Sequence, residues 1–311
     1  MAGTLVVSLD FELFWGMLDV CTLDEYRENV LGGRKAIPQM LALFEKYHIH
    51  ATWAAVGFLF AENAAELCKF FPECRPGYRE EKLNPYPLVS QISAGDAPCF
   101  FAPDLIDLIA QTPGQEIGSH TFCHYYCREA GQTVEEFAAD MEAAKAIAKQ
   151  KGYDVKSVVL PRNQCEPAYT EVLRELGFTA YRDEENDWIH EKIHFRPLKR
   201  LLRLADVYLP LTGLGGYVPK CENGIWNVVG SRMYKPILKP LAFLERVKLA
   251  RIKAQMRHAA KHNLTFHLWW HPHNVGVKTE AHLAQLEEIF AYYDTLRTQY
   301  GMQSRNMGEI Q

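Results

Sequence analysis

No run in this sequence approaches the ~20 consecutive apolar residues of a membrane-spanning helix, so no such helix is expected. The opening residues, Met-Ala-Gly-Thr-Leu-Val-Val-Ser-Leu-Asp, lack a basic segment, a long apolar core and a cleavage site, so they read as a strand rather than a leader. A disulfide framework is not indicated: eight cysteines without a secretory signal read as reduced thiols of a cytoplasmic protein. Strong net charge is also missing, since 34 Lys/Arg face 38 Asp/Glu for a net of −4, and no nucleic-acid partner is expected. Internal repeats and low-complexity tracts are absent, which removes solenoids and arrays. What remains is an ordinary globular balance, 48% apolar and 23% charged over 311 residues, compatible with one large single-domain core.

The charge is unevenly spread. Between Lys192 and Lys261 there are 15 Lys/Arg against only Asp206, Glu222 and Glu245. Such a segment suits an anionic partner, whether phosphate, acidic glycan or membrane surface, although a solvated basic helix face would read the same way.

Strand-like runs alternate with amphipathic helices. Strand character falls on Thr4–Leu9, Ala51–Val56, Gln115–Gly118, Ser157–Leu160, Phe178–Tyr181 and Leu264–Trp270. Helical periodicity falls on Arg34–Tyr47, Ala61–Phe71, Pro103–Gln111, Val134–Lys151, Tyr169–Leu176, Ile237–His262 and Glu280–Tyr300. Residues 72–98, with five prolines, and 182–236, with Gly213, Gly215 and Gly216, read as two irregular insertions. Repeated β-then-α order implies an α/β fold with a parallel sheet, barrel or doubly wound, whose chemistry collects at the C-terminal strand ends. Asp10, Glu12, His120, Arg162, Asp187 and His271 all fall just after strand-like runs.

Gly118-Ser-His120-Thr-Phe-Cys-His124 is the most informative of these places. Ser119 is a good N-cap, and histidines four apart on a helix stack on one face, about 6 Å between Cβ atoms, where they can share a cation. Two histidines and one carboxylate form a three-ligand set that leaves a catalytic metal open to water. The carboxylate is Asp10 or Glu12, and the other member of the pair would serve as the base. Cys123 and Cys127 interleave with the histidines, but one helix does not wrap four ligands around a metal.

Asp10-Phe-Glu12, Ala51-Thr-Trp-Ala-Ala-Val-Gly57, Glu116-Ile-Gly-Ser-His120-Thr-Phe-Cys-His124, Arg162, Asp187-Trp188 and Leu268-Trp-Trp-His271 together resemble the ordered motifs of the polysaccharide deacetylase (NodB-homology, carbohydrate esterase family 4) superfamily, over roughly residues 4–275. The resemblance implies a distorted (β/α) barrel with about seven parallel strands. It also implies a divalent metal, zinc above all, used to hydrolyse N- or O-acyl groups of sugars. Carried over by position, His120, His124 and Glu12 are the metal ligands and Asp10 the base. Arg162 is the arginine that pairs with the base, His271 the general acid, and Asp187 the carboxylate that supports that histidine. The departures are Glu12 where the family has Asp, and Arg162-Asn-Gln-Cys165 without the expected proline and aromatic residue.

In Trp269-Trp270-His271-Pro-His273 only one tryptophan should face the site by strand alternation; Trp270 and Trp188 are taken as sugar-stacking residues. His273 is the rival acid, and His267 reads as a satisfied core histidine. Arg200 and Arg203 are expected to grip a phosphate. The substrate expected is an amino sugar, nucleotide-linked or lipid-pyrophosphate-linked, deacylated in surface-polysaccharide biosynthesis. Peripheral membrane contact through Ile237–His262 is the other use of the basic segment. Two further readings compete: a metal-free amidohydrolase acting on a non-sugar C–N bond, and a non-catalytic glycan- or nucleotide-sugar-binding module.

Overall fold

Strands alternate with helices along almost the whole chain, and the apolar alternation within each strand sorts its residues between two cores. The structure is a computed structural model and describes residues 2–183 and 187–311, apart from the side chain of His190. Among the described residues the strands are β1 (Thr4–Phe11), β2 (Ala51–Ala55), β3 (Gln115–Ser119), β4 (Ser157–Val159), β5 (Ala180–Arg182), β6 (Lys220–Glu222), β7 (Ile225–Asn227), β8 (Arg232–Met233), β9 (Thr265–Trp270) and β10 (Gln303–Arg305). The helices are α1 (Leu23–Tyr47), α2 (Ala64–Leu67), α3 (Tyr86–Val89), α4 (Pro103–Gln111), α5 (Val134–Gln150), α6 (Pro167–Glu175), α7 (Trp188–Lys192), α8 (Arg196–Tyr208), α9 (Glu245–His262) and α10 (Thr279–Tyr300).

The strands form one sheet in the order β6-β7-β5-β4-β3-β2-β1-β9-β8, with β10 also on β1, and every pairing but β6–β7 is parallel. Residues 228–231 close it. The amides of Val228 and Gly230 bond the carbonyls of Tyr181 and Asp183, both at 2.8 Å, while Ser231 N bonds His267 O at 3.0 Å. The result is the expected distorted barrel. Leu5, Val7 and Leu9 of β1 point outward into the large core shared with the helices. Val6 points inward and packs with Ala54, Val159, Ala180, Val228, Met307 and Ile310 in a small inner core. The segment after β10 therefore fills the barrel floor, held by Met307 N on Thr52 Oγ1 at 2.7 Å and Gly308 N on Glu116 Oε2 at 3.0 Å. Above that floor the inward positions of β1 become polar, Ser8 and then Asp10.

Some elements differ from the sequence expectation. Helix α1 starts eleven residues before Arg34, at Leu23, with Thr22 and Glu25 forming a capping box. Gly32 and Gly33 do not break it; they let it press on the turn after β9, because a Cβ at Gly33 would lie 2.8 Å from His273 Cα. Helix α9 begins at Glu245 rather than Ile237, since Pro236 and Pro240 hold the preceding segment out of a regular helix. Its Lys248 and Arg251 are buried against Glu245 and Asp206, while Arg246, Arg257 and Lys261 stay exposed on the other face, so only part of the basic segment is used in packing. Segment 182–236, expected to be irregular, holds α7, α8 and three short strands; its residues Glu184, Glu185 and Asn186 lie outside the described residues. Among the described residues no helix is long and apolar enough to cross a membrane.

Candidate active site

Four strand ends deliver the polar residues to one place. β1 brings Asp10 on its inward face and Glu12 just beyond it; β3 delivers His120, β5 Arg182 and β9 His271. Asp10 is buried and accepts both terminal nitrogens of Arg182, Nη1 on Oδ1 at 2.6 Å and Nη2 on Oδ2 at 2.7 Å. Burial alone would push the Asp10 carboxyl up; the Arg182 charge, with His271 and His120, overrides this and holds it below the ordinary aspartate range. Arg182 is itself fixed from three sides. It donates to Ser8 Oγ at 2.9 Å and to Asn163 Oδ1 at 3.0 Å, and its guanidinium lies 4.2 Å from the Trp269 ring centre. His267 sits below, bonded through Nδ1 to Val228 O at 3.1 Å and through Nε2 to Ser8 Oγ at 2.8 Å, a satisfied core histidine.

Glu12 lies between two imidazoles. Its Oε2 is 3.0 Å from His124 Nε2 and 3.3 Å from His120 Nε2, and one ligand atom from each of the three lies within 4.8 Å of the others. His120 Nδ1 donates to Val159 O at 2.7 Å, so in the neutral ring its proton is committed there and Nε2 turns a lone pair toward the carboxylate. Burial outweighs the hydrogen bond and charge of Glu12 to hold His124 below the ordinary histidine range. Buried lone pairs facing a carboxylate call for a cation between them, so the three residues fit a divalent metal, and an N₂O set suits zinc. The longer Glu12 side chain is accommodated by Gly16, where a Cβ would lie 2.1 Å from Glu12 Cδ.

His120 and His124 do not share a helix. β3 stops at Ser119, and the following loop is left-handed at Thr121 (φ 63°) and His124 (φ 62°). Ser119 Oγ accepts Thr121 N within this loop rather than capping a helix. The loop's amides are held instead by buried Asp140 of α5, which accepts Phe122 N at 2.7 Å and Cys123 N at 3.1 Å.

Arg162 is not the partner of Asp10. Its guanidinium pairs with Asp19 and with Glu129 (2.7 Å) and lies 4.3 Å from the Tyr126 ring centre. The left-handed backbone at Arg162 and Asn163 turns Asn163 onto Arg182, so the motif reaches the site only through that neighbour. Arg182 was not singled out in the sequence; its signal was its place at the end of the Phe178–Tyr181 run, two residues after inward-facing Ala180.

Asp187 does not reach His271 either. It accepts Arg203 Nη1 at 2.5 Å and Ile189 N at 2.9 Å. The carboxylates beside His271 Nε2 are Asp10, 3.6 Å away, and Glu12, 3.7 Å away, while Asn274 lies 3.4 Å from its Nδ1. His273 stacks on His271 but is buried, and burial together with the His271 charge lowers it to about 4. Trp270 is fully buried against Phe44 and Tyr234 and cannot stack on a sugar. Trp269, one residue earlier, is the tryptophan on the site side. Trp188 is partly exposed and donates to Leu211 O at 2.9 Å.

Two cavities adjoin these residues. One, of about 320 Å³, is lined by Arg162, Asn163, Asp187, Arg203 and Trp269 among others. The other, of about 640 Å³, is lined by Arg196, Lys199, Arg200, Arg203, Lys235 and Asn274 among others.

The fold that places a carboxylate–arginine pair beside a Glu–His–His cluster is shared with known proteins. The polysaccharide deacetylase family model matches residues 21–181, and the chain belongs to that family, whose members hydrolyse the C–N bond of N-acetyl groups on sugars. Solved structures with the same fold include a Mycobacterium smegmatis protein assigned to the polysaccharide deacetylases (13% identity, TM-score 0.59, covering 100% of this chain and 90% of that one). A Pseudomonas aeruginosa PAO1 protein with the same assignment is similar (12%, TM-score 0.58, 99% and 88%). So is Puue allantoinase (12%, TM-score 0.59, 99% and 87%). No curated protein matches the chain in a sequence search.

Proposed function

We propose that this protein is a metal-dependent N-deacylase that removes an acetyl or formyl group from an amino sugar linked to a nucleotide or a lipid pyrophosphate. The observation that carries this reading is the juxtaposition of the ionised Asp10–Arg182 pair, the Glu12–His120–His124 cluster and His271 within one buried mouth. Glu12, His120 and His124 would hold a divalent ion, zinc by their donor set, and the chemistry such an ion supplies is water activation and polarisation of an acyl carbonyl. Asp10, kept ionised and oriented by Arg182, takes the proton of the attacking water as its oxygen bonds the acyl carbon. His271 gives a proton to the departing nitrogen as the C–N bond breaks, releasing the free amine and the carboxylate. Trp269, backed by the buried Arg182, forms the wall beside the scissile group, and Arg200 and Arg203 meet the phosphate in the adjoining cavity. Eight unpaired cysteines support work in a reducing cytoplasm, on an activated precursor of a surface polysaccharide.

Metal analysis and an amine-release assay over N-acetylated and N-formylated nucleotide sugars test the reading. Asp10→Asn should keep its metal and lose roughly 10²–10⁴-fold in rate, and His271→Ala should slow turnover while keeping the metal. Glu12→Gln and His120→Ala should lose the metal. A wild type that stays metal-free after zinc is supplied, yet releases amine in chelator, would be the metal-free amidohydrolase instead. One that binds the sugar and never turns it over would be a binding module.

A further inference from the structure

We propose that helix α8 docks this protein on an anionic lipid surface, an inference that deepens the lipid-linked form of the substrate reading above. The helix is amphipathic the wrong way round for a packing helix. Leu198, Leu201 and Leu204 recur every three residues, one stripe at helical spacing, yet they are 42%, 62% and 39% exposed, and Phe195 just before the helix is 68% exposed. The opposite side carries the cations. Arg196, Lys199, Arg200 and Arg203 all line the 640 Å³ cavity, which also reaches Asn274, the neighbour of His271. The helix thus turns its basic side and Leu204 toward a cavity beside the site, and Leu198 and Leu201 outward.

A bilayer fits both sides at once. Phe195, Leu198 and Leu201 enter the boundary between headgroups and acyl chains, and the long side chains of exposed Arg196 and Arg200 reach around the helix to anionic headgroups. The first ten residues of α8, Arg196 to Ala205, hold four cations and no acid, so charge complementarity selects an anionic surface. A second protein copy fits less well. The centre of a protein interface is depleted in charged residues, whereas four cations stand on this one short helix. Seated this way, the cavity lies across α8 from the acyl chains, within one helix diameter, roughly 10–12 Å, of the phosphates of a lipid-linked amino sugar.

The test is sedimentation of the full chain with vesicles of phosphatidylglycerol and phosphatidylcholine, and of phosphatidylcholine alone. The wild type should partition onto the anionic vesicles, weakly onto the neutral ones, and less as salt rises. A Phe195→Gln/Leu201→Gln variant, in which both changed residues are exposed, should bind at least about tenfold more weakly. Its circular dichroism and its amine release from a water-soluble substrate should be unchanged. Failure of the wild type to bind anionic vesicles, or equal binding by the variant, overturns the proposal. So does light scattering that finds a dimer dissolved by Leu201→Gln without vesicle binding, which assigns the leucines to a second copy. Vesicle binding needs neither metal nor turnover, so a protein that binds vesicles but releases no amine keeps the docking surface and refutes the deacylase reading alone.

Discussion

Arg182 is the residue on which the acid–base arrangement turns. It is buried, it neutralises a buried carboxylate through two hydrogen bonds, and Ser8, Asn163 and Trp269 leave it no other pose. Removing one member of such a pair costs about 3–5 kcal/mol, because the other charge is left buried and unpaired. Arg182→Met should therefore lower stability by about that amount in urea titration. It should also move the acid limb of the pH–rate profile upward, since Asp10 without its arginine protonates at higher pH. Arg162→Met should leave that limb where it is; a limb that moved in Arg162→Met and stood still in Arg182→Met would return the role to Arg162. Which residue types meet here was legible in the sequence: Asp10, Glu12, His120, His124 and His271 do converge. Which arginine they meet was not, because an Arg three residues past β4 and an Arg ending β5 differ only in backbone direction. The left-handed turn at Arg162 is what sends its side chain away, and a non-glycine residue gives little sequence warning of such a turn. The same limit hid Gly16, whose missing Cβ makes room for Glu12.

At the scale of elements, the loop from His120 to His124 depends on a helix far from it in sequence. Asp140 of α5 accepts two of its amides, and its burial raises the carboxyl to about 6 against the pull of those bonds. Asp140→Ala leaves two buried donors unpaired, a cost of about 1–3 kcal/mol each. Metal affinity should fall roughly 10–100-fold, the usual effect of losing an outer support of a ligand, while the ligands themselves remain. Competition with a chromophoric chelator measures this, and an unchanged affinity would mean that the loop holds its shape without α5. The four-residue spacing of the histidines suggested a helix because spacing carries no information about a support such as Asp140. Helix α1 is the converse case. The periodicity placed its start at Arg34, but Thr22 and Glu25 cap it eleven residues earlier, and Gly32 and Gly33 lie inside it because they serve the close approach to the turn at His273.

For the molecule as a whole, the fold buries histidines that it keeps uncharged, one inside the barrel and one on helix α10. Burial, with the Arg182 charge, lowers His267 to about 3, and burial with Lys248 and Lys278 lowers His282 to about 4. An unfolded histidine takes its proton near 6.5, so below that pH the unfolded chain binds protons that the fold refuses. Stability should be fully present above about pH 6.5 and fall as pH drops toward 4, and His267→Gln/His282→Gln should flatten that slope in denaturant titrations at stepped pH. A slope unchanged in the variant would place the acid lability elsewhere. The α/β order and the parallel sheet were legible throughout, since each strand and helix carries its own period. The barrel floor was not, because Met307 and Ile310 follow the closing helix with no period of their own. That floor has a consequence for how the protein is made. β1 pairs with β2 early, but its other neighbours are β9 and β10, with Thr4 opposite Gln303. At about 5–20 residues per second, a ribosome takes roughly 15–60 s to deliver them. For that interval an eight-residue strand, seven of whose residues are buried in the finished fold, waits with one edge unpaired, so newborn chains should depend on chaperones far more than the finished enzyme's stability would suggest.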